Sequence, residues 1–154
     1  MKTYSFDYDR VRRRELSIAD RELCDRAVAA TQGSYSPYSH YKVGAALRLG
    51  NGEIILGANQ ENASYPCGTC AERTALNYAQ TAYPHEPVSC IAIAAEQGNG
   101  NDTATPFPCG LCRQSLAEVE QRQGSPIRVL AVGGEEVFVF PSASCLLPFA
   151  FAQP

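Results

Sequence analysis

Histidine is nearly absent from this chain, with two copies in 154 residues, His40 and His85. They are far apart, and neither belongs to an H-E-x-x-H motif, which leaves little support for a histidine-driven hydrolase or a Cys-His protease. Long apolar runs are also missing. Nothing approaches the roughly 18 to 20 residues of a membrane span, and the polar, aromatic stretch Met1 to Arg14 resembles neither a secretory nor a twin-arginine signal. Positive charge is scattered apart from Arg12-Arg13-Arg14, the formal net charge is -3 and the sequence pI is about 5.4. A polynucleotide binder needs a basic face for phosphate neutralisation, so the expected substrates are small and weakly charged, with no nucleic acid and no membrane among the partners. No internal repeat or low-complexity tract appears. Apolar residues make up 45% of the chain, enough for the core of one domain spanning residues 1–154, with residues 1–16 as an N-terminal extension.

What the chain does have is cysteine, seven in all, an odd number that does not read as a disulfide framework and that fits a cytoplasmic protein. Four of them form two C-x-x-C pairs, Cys67/Cys70 and Cys109/Cys112. Cys70 and Cys109 are 39 positions apart, well beyond the roughly 15 to 20 residues of a compact two-knuckle zinc motif. Two readings follow. In the first, Cys70, Cys109 and Cys112 hold zinc and leave its fourth position open, while Glu72 moves protons without being a ligand. In the second, Cys67 is the fourth ligand of a closed, noncatalytic zinc-stabilised binding module, which gives Glu72 and Arg73 no role. A C-x-x-C redox protein would require neither two pairs nor Glu72.

Local patterns place these residues. Ser17 to Asp20 resembles a capping box opening a helix, and Ala19, Leu23, Ala27 and Ala30 recur at helical spacing until Gly33, with Cys24 as core. Val43, Ala45, Leu47 and Leu49 alternate as a strand does, Gly50-Asn51-Gly52 turns, and Ile54 to Gly57 returns, giving a hairpin. A helix is expected from Cys70 to Gln80, a buried strand from Ser89 to Ala95, a loop from Asn99 to Thr105, and a helix from Cys109 to Gln123 ended by Gly124. Strands from Ile127 to Val132 and Val137 to Phe140 flank Gly133-Gly134, and the apolar tail Ser144 to Phe151 packs, with one helical turn. Cys70 and the Cys109/Cys112 pair thus open helices, whose N-termini each carry about half a positive charge and favour thiolate. Three thiolates on zinc leave a formal charge of about minus one. The helix ends, with Arg73 and Arg113 hydrogen-bonding to sulfur, are expected to offset it.

Four ordered blocks carry a closer resemblance: Pro37-Tyr-Ser-His-Tyr-Lys-Val-Gly-Ala-Ala-Leu47, Asn59-Gln-Glu61-Asn62-Ala-Ser-Tyr65, Thr69-Cys-Ala-Glu-Arg-Thr-Ala75 and Pro108-Cys-Gly-Leu-Cys-Arg-Gln114. Together they resemble the cytidine deaminases that act on free nucleosides, from about Ser17 to Phe151. The resemblance implies an α/β fold, a three-layer α/β/α sandwich with a central mixed five-stranded sheet. It also implies a homotetramer, and zinc-dependent hydrolysis of cytidine or deoxycytidine to the uridine and ammonia, as in pyrimidine salvage. By this resemblance Cys70, Cys109 and Cys112 bind one Zn2+ per subunit and Glu72 is the proton shuttle. Asn59 and Glu61 grip the ribose hydroxyls, the Ala71 backbone N–H meets the base carbonyl, and Tyr41 stacks on the pyrimidine where the family usually has phenylalanine. Tyr65 and Phe151 match aromatics that close a neighbouring subunit's site. Cys67 is not a ligand position in the family, and Gln60 replaces a more usual aliphatic residue. Within the same fold, an aminopyrimidine nucleoside such as blasticidin S, or cytosine in a polynucleotide, is the alternative substrate; Asn59 and Glu61 favour a ribose.

Overall fold

The computed structural model of the chain describes residues 1–97 and 105–153. The expected loop from Asn99 to Thr105 lies outside them apart from Thr105. Six strands form one sheet in the order β1-β6-β5-β4-β2-β3: β1 Asp9–Arg12, β2 Tyr41–Leu49, β3 Ile54–Ala58, β4 Val88–Gln97, β5 Arg128–Gly133 and β6 Glu136–Phe140. Only β4 and β5 run parallel; the other neighbours are antiparallel. A parallel pair cannot be joined by a tight turn, and here the connection contains the helix α3, Gly110–Gln123. The mixed sheet, with α1 (Ile18–Ala30) on one face and α2 (Ala71–Ala82) and α3 on the other, gives the three layers.

The expected five strands become six. The additional strand is β1, from the N-terminal extension: Asp9 to Arg12 pair with Val139 to Glu136, and Arg10 forms an ion pair with Glu136. Its short, charged sequence carries no apolar alternation, so periodicity could not reveal it; its partner strand supplies the order.

Side-chain size assigns the two faces. Leu47, Leu49, Ile91, Ile93 and Val129 point towards α2 and α3, whereas Ala46, Cys90, Ala92 and Ala94 point towards α1, which answers with Leu23, Cys24 and Ala27. Small residues on both sides let α1 lie close to the sheet. Filling that space, as in Ala92→Leu, would cost about 1–3 kcal/mol in overpacking.

The caps follow sequence with one difference. Ser17 accepts a hydrogen bond from the Asp20 N–H, but Asp20 does not return it as a capping box would. Its carboxylate accepts instead from Arg48 (2.9 Å) and Arg128 (3.0 Å), tying α1 to β2 and β5 and holding the Asp20 carboxyl below its ordinary range against the opposing effect of burial. Gly124 closes α3 with φ of 70°, the left-handed cap that glycine adopts without a Cβ penalty. The tail forms a single turn, Ala143–Leu146.

Candidate active site

Helices α2 and α3 both begin at a cysteine. Cys70 and Cys109 are the N-cap residues, with extended backbone and no side-chain cap bond. The first N–H groups of each helix therefore lack an intrahelical partner, at the end of the helix where the sulfurs lie. Close contact between α2 and the sheet fixes the first of these ends: a Cβ on Gly57 would lie 2.3 Å from the Ala71 carbonyl oxygen, so only glycine permits this approach. Cys112 sits in the first turn of α3 and is buried, Cys70 is half-buried and Cys109 exposed.

The sulfurs of Cys70, Cys109 and Cys112 all lie within 4.8 Å of one another, and Cys70 Sγ and Cys109 Sγ are 3.7 Å apart. A tetrahedral site with Zn–S bonds of about 2.3 Å has S···S edges of about 3.8 Å, so the donor set fits zinc. Cys67 ends the turn Tyr65–Cys67, is exposed and is not among the clustered sulfurs. The three-cysteine face is thus the arrangement the fold assembles.

The electrostatics single out Cys70 as the most acidic of the shifted thiols. Hydrogen bonding from Cys112, against burial and with help from Cys109 and Arg73, draws the Cys70 thiol down to about 5. The same contact and burial push Cys112 upwards. Arg73 is raised although burial opposes it, because its guanidinium faces Cys70 and Cys112. Arg113 differs from the sequence expectation: its hydrogen bonds go to carbonyls rather than sulfur, from Nε to Pro108 (2.7 Å) and from Nη1 to Leu146 (2.9 Å). It braces the backbone on both sides of the site, a role that a sequence pattern placing it next to Cys112 cannot distinguish from sulfur contact.

Glu72 is in the first turn of α2 and only 4% exposed. Burial, partly offset by its own backbone N–H, pushes its carboxyl up to about 7. Near neutrality such a group both accepts and returns a proton. Tyr41, at the start of β2, is raised first by burial and then by the charge of Glu72, which places the phenol in its neighbourhood.

An open cleft of about 600 Å³ leads to Cys70 and Arg73, with Asn59, Glu61, Tyr65 and Leu111 among its walls. Asn59 follows β3 and is locked: Oδ1 accepts from the Val43 N–H (2.8 Å) and Ser34 Oγ (2.5 Å), while Nδ2 donates to the Tyr41 carbonyl (2.9 Å). One amide hydrogen stays free for a ligand. Glu61 accepts at Oε1 from the backbone N–H groups of Tyr38 (3.3 Å) and Ser39 (3.2 Å) and from Ser39 Oγ (3.2 Å), which leaves Oε2 for a hydroxyl. Gln60 has a structural task, donating from Nε2 to the Gly33 carbonyl while its backbone pairs with Thr69. Tyr65 is 77% exposed and meets Tyr38 edge-on. Phe151 does not join this cleft; it lines a cavity beside Ala117 and Ser144, and its carbonyl accepts from Gln114.

Sequence reasoning missed Ser34 and Ser39, which orient Asn59 and Glu61. The available signal was the density of serine in the tyrosine-rich loop Ser34 to Tyr41, short hydroxyls that suit backbone-like bonding in turns.

Residues 17–124 match the family model described as the cytidine and deoxycytidylate deaminase zinc-binding region. A cytidine deaminase of Halalkalibacterium halodurans is 45% identical over 102 residues, 65% of this chain and 72% of that one. A probable cytidine deaminase of Dictyostelium discoideum is 35% identical over 133 residues, 86% of this chain and 84% of its own. The crystal structure of cytidine deaminase from Burkholderia pseudomallei superposes with a TM-score of 0.70 at 38% identity, covering 84% of this chain and 97% of that one.

Proposed function

The chain belongs to the cytidine and deoxycytidylate deaminase family, and on that premise we propose that it hydrolyses cytidine and deoxycytidine to the uridines with release of ammonia, using one zinc ion per subunit. The carrying observation is the set of three mutually close sulfurs beside a buried carboxyl raised to about 7 that is not part of the cluster.

Cys70, Cys109 and Cys112 would hold the ion. Bound there, zinc would supply Lewis acidity that lowers the pKa of a water towards neutrality. Glu72 takes a proton at its carboxylate and delivers it to ring N3, then carries a second to the departing amino group. The free N–H of Ala71, first in α2, donates to the base carbonyl. Asn59 and the open oxygen of Glu61 orient the ribose, and Tyr41 stacks against the ring. Arg73 and the two helix N-termini offset the surplus negative charge of three thiolates.

Tyr65 and Leu111 leave large apolar surface at the mouth of the cleft, which supports a homotetramer in which Tyr65 and Phe151 of one chain approach a neighbour's site. None of the seven cysteines is in a disulfide, in keeping with a cytoplasmic role in pyrimidine salvage. No helix among the described residues is long and apolar enough to cross a membrane.

The test is ultraviolet absorbance on mixing cytidine with zinc-loaded protein. Absorbance falls with one ammonia released per cytidine consumed, and removing the metal abolishes turnover. Ammonia release that ignores the metal would refute the assignment.

A further inference from the structure

The N-terminal extension lies outside the family match, which begins at residue 17, yet it packs on the two segments, β6 and the Ala143–Leu146 turn, that in turn touch Phe107 and Arg113 beside Cys109 and Cys112. The first route runs through aromatic rings. Tyr8 stacks on Phe138 at 5.8 Å between centroids and lies 5.6 Å from Phe140, and Phe6 is 6.4 Å from Phe140. Phe107 stands edge-on to the same two rings at 5.3 Å and 6.2 Å. Phe107 precedes Cys109 by two residues, with buried Pro106 and Pro108 on either side. Beneath it Thr105 presses on the end of β5, where a Cβ on Gly133 would be 2.0 Å from Thr105 Oγ1.

The second route is polar. The Tyr4 hydroxyl donates to the Cys145 carbonyl at 3.2 Å. The next carbonyl, Leu146, accepts from Arg113 Nη1, and Arg113 Nε donates to Pro108. The routes end at adjacent residues, Phe107 and Pro108, just before the exposed ligand Cys109. Cys109 is also the least buried of the three sulfur residues, so it is the one able to swing away first, and the segment that would have to move is clamped.

The geometry points to a positioning role for Tyr4, Phe6 and Tyr8: the extension is a strap that holds Cys109 in register with Cys70 and Cys112, acting through Phe107 and Arg113, and thereby slows loss of the metal. This inference rests on the zinc site proposed above. Outer groups that orient metal ligands typically govern affinity by about 10- to 100-fold, and these aromatics act one layer further out.

Zinc release is measured on full-length, zinc-loaded protein with excess chromogenic chelator, well below the unfolding temperature, alongside the urea midpoint of the metal-free chain. Phe6→Ala combined with Tyr8→Ala, and separately Phe107→Ala, should speed release about tenfold with KM for cytidine unchanged. Tyr8→Phe keeps the ring and should release at the parent rate. If the double variant does not fold, Phe107→Ala decides alone. Ring-deleted variants that lower the urea midpoint yet release zinc at the parent rate would show a merely structural role and overturn the strap. Parent protein that binds no zinc would instead bring down the metal site itself, a result recognisable before any variant is made.

Discussion

Glu72 and Glu120 are both helical, both in the layer formed by α2 and α3, and nearly equally hidden at 4% and 8% exposure, yet their carboxyls are driven in opposite directions. Glu72 has burial and few donors, and its carboxyl rises to about 7. Glu120 is also penalised by burial, but it is held below its ordinary range because it accepts from the N–H groups of Ile127 (2.7 Å) and Ala143 (2.9 Å), from Ser142 Oγ (2.6 Å), and from both the N–H and the hydroxyl of Ser144. Burial sets the cost and the donors decide the sign. One carboxylate is left poised for proton traffic; the other staples α3 to the start of β5 and to the turn Ala143–Leu146.

The contrast can be broken most sharply at Glu72. Glu72→Gln should keep fold and metal while kcat falls about a thousandfold or more, the upper part of what general acid–base catalysis contributes; near-parent turnover by this variant would end the shuttle assignment. At Glu120 the loss is of stability rather than chemistry. Glu120→Ala orphans several buried donors, each costing about 1–3 kcal/mol, so the urea midpoint should fall by an amount equivalent to roughly 3 kcal/mol with KM little altered. A change below about 0.5 kcal/mol, the usual range for surface sites, would mean that the staple is idle.

Acidity sharpens the same pair. Glu120 has a depressed folded pKa, so its stabilisation is complete above the unfolded value near pH 4.5 and disappears as pH falls through the lower folded value. Glu72 has a raised one, so ionising it destabilises the metal-free chain as pH rises from about 4.5 to about 7, by on the order of 3 kcal/mol. In metal-free protein Glu72→Gln should therefore raise the urea midpoint at pH 8 and leave it unchanged at pH 4. Glu120→Gln should lower it at pH 8 and have less effect near pH 3. Parallel pH profiles for the two variants would contradict the comparison. The smallest effect belongs to Ser39→Ala, which removes one of three donors to Glu61 Oε1. KM for cytidine should rise a few-fold at nearly constant kcat, in line with about 0.5–1.5 kcal/mol for one hydrogen bond.

The helices, the hairpin and the cluster of three sulfurs could be read from sequence because each has a local signature: a 3.6-residue stripe, a Gly-Asn-Gly turn, cysteines at helix starts. β1 could not, since its order comes from β6 more than a hundred residues away. Glu120 could not either. A lone glutamate on a helix is ordinarily solvated, and what buries this one is the return of Ile127 and Ala143 from elsewhere in the chain. Arg113 was visible as a neighbour of Cys112, but its partner Leu146 was not, so its target was misjudged. Pairwise geometry between distant segments is what pattern reading lacks.

The pairing of β1 with β6 has a temporal consequence. Arg10 and Glu136 are separated by 126 positions, so β1 leaves the ribosome well before the strand it docks on. Until then β1 and the rings of Tyr4, Phe6 and Tyr8 lack their mates, a window in which strand-to-strand association between nascent chains is favoured. Because β6 is the last of the six strands in chain order, completing the sheet waits for its synthesis, and removing β1 would trade that delay for a permanently open border.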